Sequence, residues 1–138
     1  MHSGRKAQSS FESLMIFGLV MVFAIPIWLY VTSLDQQTDS QLALSYADSA
    51  VRQIADSADL VYSQGPPAKV RLRVYLPDGI DYTNVTSRVV NIRLTTNLGP
   101  SDVYATSVAT LNGSLPSESG TYWIDIEAMD GFVQIESE

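Results

Sequence analysis

The apolar residues of the chain follow three different patterns along its length. Between Ser13 and Leu34 no residue is charged and most are apolar, which is the length and composition of a helix that crosses a bilayer. After Asp35 the apolar residues recur at intervals of three and four, and from Lys69 onward they recur at every second position. The order of the patterns predicts a membrane-inserted helical segment, an amphipathic helical segment and a β-rich domain.

The amphipathic segment carries a single apolar stripe, while charged residues such as Arg52 and Asp59 fall outside it. The sequence Gly65-Pro66-Pro67 should end the helix, because proline lacks an amide donor and disfavours helix in the residue before it. We therefore predict one unbroken helix over 8–64, with its membrane or filament-core segment at about 13–34. The stripe consists of Leu44, Ala47, Val51, Ile54, Ala58 and Val61.

The remainder of the chain, 68–138, is expected to form a small β domain. Its first segment, 69–76, alternates apolar and polar residues and ends at a Pro-Asp-Gly turn. About five strands are marginal as an independent unit, so the sheet should cover the apolar stripe of the helix. The predicted fold is α+β: a long N-terminal helix packed on a small antiparallel sheet or sandwich. The other predicted strands are 87–95, 102–111, 120–128 and 132–137.

The last two predicted strands also have a predicted register. With Asp130-Gly131 as a two-residue turn, Ile126 lies opposite Ile135 and their apolar neighbours share one face. The same register places Asp125 opposite Glu136, and like charges in such a pair repel. We therefore expect that acidic pair to be fully solvated.

Charge favours one orientation of the chain and excludes one class of partner. Arg5 and Lys6 directly precede the apolar segment, which by the positive-inside tendency keeps the N-terminus cytoplasmic and places the β domain outside. The formal net charge is −7, and phosphate binding needs a basic surface, so nucleic acid is not an expected partner.

The side-chain inventory argues against an enzyme. The sole histidine is His2 and there is no cysteine, so the expected extracellular part has neither a histidine base nor a thiolate nucleophile. Asp78 and Asp81 form a carboxylate pair, but an aspartate in a Pro-Asp-Gly turn usually serves the turn itself. We expect no catalytic residue, no metal site and no cofactor.

Two features of the β domain have a functional and an ordinary interpretation. Lys69, Arg71 and Arg73 form a basic stripe, which either binds an acidic subunit or polyanion or is the solvent face of an ordinary strand. Asn84 and Asn112 each begin an N-glycosylation sequon in a predicted loop. Glycan at either asparagine depends on a host that glycosylates, and the triplet is also common by chance.

The N-terminus is compatible with two kinds of processing. An ordinary secretory signal has an apolar centre of about 7 to 15 residues followed by small residues, and Val31 and Ser33 offer such a site. However, the apolar segment is longer than that range. Cleavage there would also discard half of a helix whose periodicity continues outward. The second possibility is cleavage before the apolar segment.

The residues that favour this second possibility lie in "RKAQSSFESL". This stretch resembles the start of archaeal type IV pilin-like proteins with a class III signal peptide, in which a basic leader precedes Gln-x-Ser-x-Glu and an apolar helix. The resemblance implies a leader peptide at 1–7 and cleavage by prepilin peptidase between Ala7 and Gln8. Alanine stands where the family often has glycine. The matching positions are Gln8, Ser10 and Glu12, after Arg5, Lys6 and Ala7.

The resemblance also implies a role for Glu12 and a function for the protein. In the family this glutamate is thought to neutralise the N-terminus of an adjacent subunit, here the amine of Gln8. The alternative is that Glu12 is merely favoured by the macrodipole at a helix start.

The implied protein is a pilin-like subunit that serves adhesion or surface assembly. Its implied partners are the membrane, prepilin peptidase, the pilus assembly machinery and other copies, through the N-terminal helix. The implied location is the cell membrane for the precursor and an extracellular surface filament for the mature form. The rivals are a membrane-anchored accessory or minor component that does not polymerise and binds an envelope layer or ligand, and, less favoured, an exported hydrolase.

Overall fold

A computed structural model of the protein describes the backbone of residues 3–138 and the side chains of residues 9–138. The chain divides into two compact units, 1–38 and 39–138. One helix, α1 (Ser3–Gln64), is followed by five strands. The strands are β1 (Lys69–Leu76), β2 (Ile80–Thr96), β3 (Gly99–Gly113), β4 (Gly120–Ala128) and β5 (Val133–Ser137).

Helix α1 ends where the sequence predicts. Gly65 adopts a left-handed backbone conformation with φ 76°, and its amide donates to the carbonyl oxygens of Val61 at 3.0 Å and Tyr62 at 3.2 Å. Such a cap satisfies carbonyl groups that the last turn would otherwise leave unpaired. The two prolines that follow cannot continue the helix. The structure extends the other end of α1 to Ser3, beyond the predicted start at residue 8.

The apolar stripe of α1 lies against the sheet, as its spacing predicts. Ala47, Val51, Ile54, Ala58 and Val61 are fully buried and Leu44 is half-buried. The buried helix residues Ala50 and Ala55 are also short, so the helix backbone can approach the strands closely. Inward-facing sheet residues complete the core, among them Val74, Leu76, Ile92, Leu94, Ile124, Ile126 and Ile135. The α+β prediction is confirmed.

The strand order is β1-β4-β5-β3-β2 in a single five-stranded sheet. The β4–β5 hairpin has the predicted register, with Ile126 opposite Ile135, and the Met129 amide donates to the Phe132 carbonyl at 2.8 Å across the turn. The sheet is nevertheless mixed, because β3 runs parallel to β5. Gly113 permits this pairing, since a Cβ at that position would overlap the carbonyl of Ile135.

Strand β2 is longer than predicted and bends back within its length. The sequence predicts it only from residue 87, whereas the structure begins it at Ile80. The amide of Thr95 donates to the carbonyl of Gly79 at 2.8 Å, although fully extended strand advances by about 3.3 Å per residue. The chain must therefore reverse between these two residues. Ser87, with φ 54°, lies at a register shift in this segment.

One acid of α1, Asp59, forms hydrogen bonds with the irregular part of β3. The register shift leaves residues 107–110 of β3 without direct partners in β2. The carboxylate of Asp59 accepts hydrogen bonds from the hydroxyl of Ser107 and from the amide of Val108, the latter at 2.9 Å. The Ser107 hydroxyl oxygen in turn accepts from the amide of Ala109 at 3.0 Å. Asp59 thus satisfies groups that the strand ladder does not.

Substitution of the stripe tests the helix–sheet interface. Ile54→Asp should lower the free energy of unfolding of residues 39–138 by about 3 to 5 kcal/mol. The reason is that it leaves an unpaired charge in a core that has no polar partner at that position. Arg52→Asp, an exposed site two residues away, should change the free energy of unfolding little. Urea unfolding of a soluble fragment beginning at Asp35 measures both. Equal stability of the two variants would contradict the proposed interface.

A second substitution tests the Asp59 bridge. Asp59→Ala should lower the free energy of unfolding by about 1 to 3 kcal/mol, because the Ser107 hydroxyl and the Val108 amide lose their acceptor. Asp56→Ala, an exposed acid on the same helix, is the matched control and should be close to neutral. The same urea titration compares them, and indistinguishable midpoints would show that the bridge contributes nothing to stability.

Candidate functional site

The first candidate site is the apolar segment of α1. Among the residues that the structure describes, one helix is long and apolar enough to cross a membrane, and its most apolar stretch is not buried by any other described part of the chain. Large side chains project all round it, including Phe11, Phe17, Phe23, Leu29 and Trp28, which are each more than half exposed. Exposed apolar area on this scale is found where a protein contacts lipid or another protein.

The serine and threonine hydroxyl groups of this segment donate to its own backbone. Ser13 donates to the carbonyl of Ser9 at 3.0 Å, Thr32 to that of Leu29 at 3.0 Å, and Ser33 to that of Tyr30 at 2.7 Å. Serine and threonine use such bonds inside helices when no water is at hand. All three aliphatic hydroxyls in 13–34 are therefore compatible with an apolar environment.

The predicted processing and assembly residues lie on the first turns of α1. Arg5, Lys6, Ala7 and Gln8 are in helical backbone, but their side chains lie outside the described residues. The side chains of Ser10 and Glu12 are exposed. Positions 8 and 12 are one helical turn apart and so occupy the same face. The structure thus places Glu12 immediately before the uncharged segment, on an exposed surface.

The second candidate site is the outer face of β1, where the sequence predicts a basic stripe. Register pairs Arg71 with Asp125 and Lys69 with Glu127 of β4. Lys69 Nζ lies 3.2 Å from Asp125 Oδ2 and 3.8 Å from Glu127 Oε2, and Arg71 Nε lies 3.3 Å from Asp125 Oδ1. The hydrogen-bonded carboxylate of Asp125 raises the pKa of Lys69 above its ordinary value. Two of the three predicted cations are therefore neutralised within the chain.

These pairs correct the expectation that Asp125 and Glu136 are fully solvated. The two acids do lie opposite each other, but the side chain of Asp125 is only 23% exposed. The charges of Lys69 and Arg71 from the neighbouring strand offset the repulsion between the acids. Arg71 also pairs with Glu138 and stacks its guanidinium 5.6 Å from the centroid of the Trp123 ring.

The structure places both sequons in strands, which contradicts the prediction that they lie in loops. Asn84 is in β2 and Asn112 is the penultimate residue of β3. Both are exposed. The Thr86 hydroxyl donates to the Asn84 side-chain oxygen at 2.7 Å, whereas the Asn112 amide group donates to Gln134 at 3.3 Å. Asn112 is thus engaged with the neighbouring strand β5. Strand alternation, which exposes every second residue, accounts for their exposure without a loop.

The acidic residues of the β domain are the remaining candidates for chemistry. Asp78 lies in the turn between β1 and β2 and Asp81 lies in β2, and both are exposed. Within the part of the chain that the structure describes, no group of three histidine, cysteine, aspartate or glutamate residues is positioned to hold a metal ion. Asp102 pairs with Arg93 through two hydrogen bonds, which lower the pKa of Asp102.

Comparison with known proteins finds no family model, no curated protein and no solved structure that matches the chain. The structure by itself defines an α+β protein whose N-terminal helix is suited to a membrane.

The structure contains two contacts between distant residues that sequence reasoning missed. The first is the bridge between Asp59 and β3, since an acid outside an apolar stripe resembles any solvated acid. The second is a pair of tyrosines, Tyr46 of α1 and Tyr75 of β1, whose ring centroids lie 5.2 Å apart beside Arg73. The alternation in β1 marks Tyr75 as an outward residue, but nothing local to the sequence places Tyr46 next to it.

Proposed function

We propose that this protein is a structural subunit of an archaeal type IV pilus-like surface filament, which serves adhesion or surface assembly. It is made as a membrane precursor with the N-terminus in the cytoplasm and the β domain outside. Prepilin peptidase then removes residues 1–7, and the assembly machinery packs the mature chain into a filament. The observation that carries the proposal is the uncharged helical segment that is exposed all round and directly follows Glu12.

The apolar segment accounts for both states of such a subunit. Its exposed side chains must be covered, and lipid covers them in the precursor while the same segments of neighbouring copies would cover them in a filament. Because its aliphatic hydroxyls donate to its own backbone, no hydrogen bond has to be exchanged when the surroundings change from lipid to protein. The aliphatic hydroxyl groups of this segment therefore keep the same hydrogen bonds in a helical bundle as in the membrane.

Glu12 supplies the specificity that an apolar bundle lacks. A carboxylate among apolar helices costs about 2.5 to 3.5 kcal/mol on insertion scales, and an opposite charge offsets that cost. Cleavage before Gln8 creates an α-amine, and in the proposed filament this amine pairs with Glu12 of an adjacent copy. Only one axial offset between neighbours brings the two groups together. The pair thereby fixes the register of subunits whose apolar surfaces would tolerate several.

The β domain, in this proposal, forms the outer surface and carries no catalytic activity. Its fully buried apolar residues form the core with α1, and its charged residues include more acids than bases. A rival function is that of an anchored accessory component that has the same precursor but does not polymerise. The two functions differ in what Glu12 does, and the experiments below separate them.

The mature N-terminus is the first test. Intact-protein mass spectrometry of the membrane and sheared-filament fractions should detect a chain that begins at Gln8, either as the free amine or cyclised to pyroglutamate. The cyclised form would remove the amine proposed as the partner of Glu12. A chain that begins near Leu34 would instead indicate ordinary secretory processing and would contradict the pilin proposal.

Substitution of Glu12 is the second test. Glu12→Ala should leave leader cleavage nearly intact and sharply reduce incorporation into filaments, because a buried amine loses its partner. Glu12→Gln should act similarly, since it keeps the size and loses the charge, and Glu12→Asp should assemble partially. Cells that co-express tagged wild-type and variant chains are sheared, and the filament and membrane fractions are blotted.

The control for this test is Ser10→Ala, an exposed neighbour that carries no charge and should assemble normally. Normal amounts of cleaved Glu12→Ala chain in the filament fraction would refute the assembly role of Glu12. If all variants reach the surface and none enters a filament, the chain is an anchored accessory component.

A further inference from the structure

Two exposed tyrosines, one from α1 and one from β1, form a ridge where the helix packs on the sheet. The rings of Tyr46 and Tyr75 meet edge to face, with an interplanar angle of 79°, and the residues are 49% and 45% exposed. Tyr46 is held by the helix and Tyr75 by the strand β1, so both rings project from regular elements. Aromatic rings held in this way present apolar faces and hydroxyl groups to a ligand at little entropic cost.

A cavity lies on each side of this tyrosine ridge. One has a volume of about 320 Å³ and the other about 440 Å³, within the range of small-molecule sites. The smaller cavity is lined, besides the tyrosines, by the polar side chains of Ser49, Gln53, Arg73 and Thr121. The polar residues on the other side include Asp39, Asp78, Thr96 and Asn97.

Arg73 differs from the other two cations of β1. Lys69 and Arg71 pair with acids, whereas no ion pair or hydrogen bond of the Arg73 side chain occurs among the described residues. Its cross-strand neighbour is Trp123, an aromatic residue that is 48% exposed. Arg73 is therefore an available guanidinium at the edge of a concave, partly aromatic surface.

We propose that this surface binds an acidic saccharide, with a uronate carboxylate on Arg73 and the adjoining neutral sugar across the tyrosine ridge. Guanidinium binds carboxylate through two parallel hydrogen bonds. The tyrosine rings would cover the apolar face of a pyranose. Ser49, Gln53 and Thr121 offer donors and acceptors to the hydroxyl groups of the acidic unit.

The acids in the larger cavity favour a saccharide over an acidic peptide. Asp39 and Asp78 accept hydrogen bonds from sugar hydroxyls, but they repel a second carboxylate. An oligosaccharide in which one acidic unit adjoins a neutral unit matches this distribution of charge. A run of glutamates does not, because its charges would fall on both sides of the ridge. The site lies wholly within 39–138, so it goes beyond the filament proposal and neither depends on the other.

Saturation-transfer NMR on the full chain, in micelles of a detergent without a sugar headgroup, tests the proposal. The probes are cellobiouronic acid, the neutral disaccharide cellobiose on nearly the same skeleton, and a tetraglutamate peptide. Cellobiouronic acid should receive saturation and bind at least about tenfold more tightly than cellobiose, because a hydrogen bond to a charged group is worth that much. Tetraglutamate should bind more weakly than either sugar.

Variants connect the result to named residues. Arg73→Gln should abolish the preference for the acidic disaccharide, while Arg88→Gln, an exposed arginine of β2, should retain it. Tyr75→Ala should weaken both disaccharides, whereas Tyr104→Ala, an exposed tyrosine of β3, should weaken neither. Circular dichroism establishes that each variant is folded.

Three outcomes would overturn the proposal. They are no saturation transfer to either disaccharide, an acid preference that survives Arg73→Gln, and tetraglutamate binding as tight as that of cellobiouronic acid. The last outcome would identify the surface as a contact for an acidic protein. Because filaments are not needed for the measurement, failure here leaves the assembly proposal intact, and failure of the Glu12 test leaves the saccharide result intact.

Discussion

Burial of one stripe of α1 is the interaction on which the β domain depends. Every strand contributes inward residues to the core that this stripe completes, from Val74 of β1 to Ile135 of β5. A single five-stranded sheet has two faces, and without the helix the inward face would be exposed to water. The alanines of the stripe, Ala47 and Ala58, bury little area themselves but let the helix backbone approach the sheet. The larger Val51, Ile54 and Val61 then reach into it.

The same helix is therefore subject to two opposite requirements. In 39–64 its fully buried apolar residues lie on the one side that faces the sheet, and in 13–34 exposed apolar residues are distributed all round. The first arrangement stabilises a fold within one chain, while the second can be satisfied only by lipid or by other chains. Polar side chains follow the same division. Within 13–34 the aliphatic hydroxyls bond to the local backbone, whereas Asp59 reaches across to another element.

Features that depend on local periodicity could be predicted from the sequence, and features that depend on distant pairing could not. The spacing from Leu44 to Val61 identified the buried face, and Asp130-Gly131 fixed the β4–β5 register, because both signals lie within a few residues. The parallel contact of β3 with β5 and the reversal of β2 join residues that are distant in the sequence, so no local pattern predicts them. In the candidate sites, Arg71 and Arg73 look equivalent in the sequence of β1. Only the pairing with β4, which sets Asp125 beside one and Trp123 beside the other, distinguishes them. The processing and assembly roles proposed for Gln8 and Glu12 follow from the Gln-x-Ser-x-Glu motif.

The connection between α1 and β1 is short and exposed, since Pro66 and Pro67 lie at the surface and residues 65–68 are all that join the two elements. The sheet is nevertheless held to the helix by non-covalent contacts, which are the packing of the stripe and the contact between Asp59 and β3. A protease that cut this connection would break the chain without releasing the β domain, which would stay bound as a non-covalent complex with its own helix. A unit held together in this way keeps its β domain on its helix even after its polypeptide has been nicked.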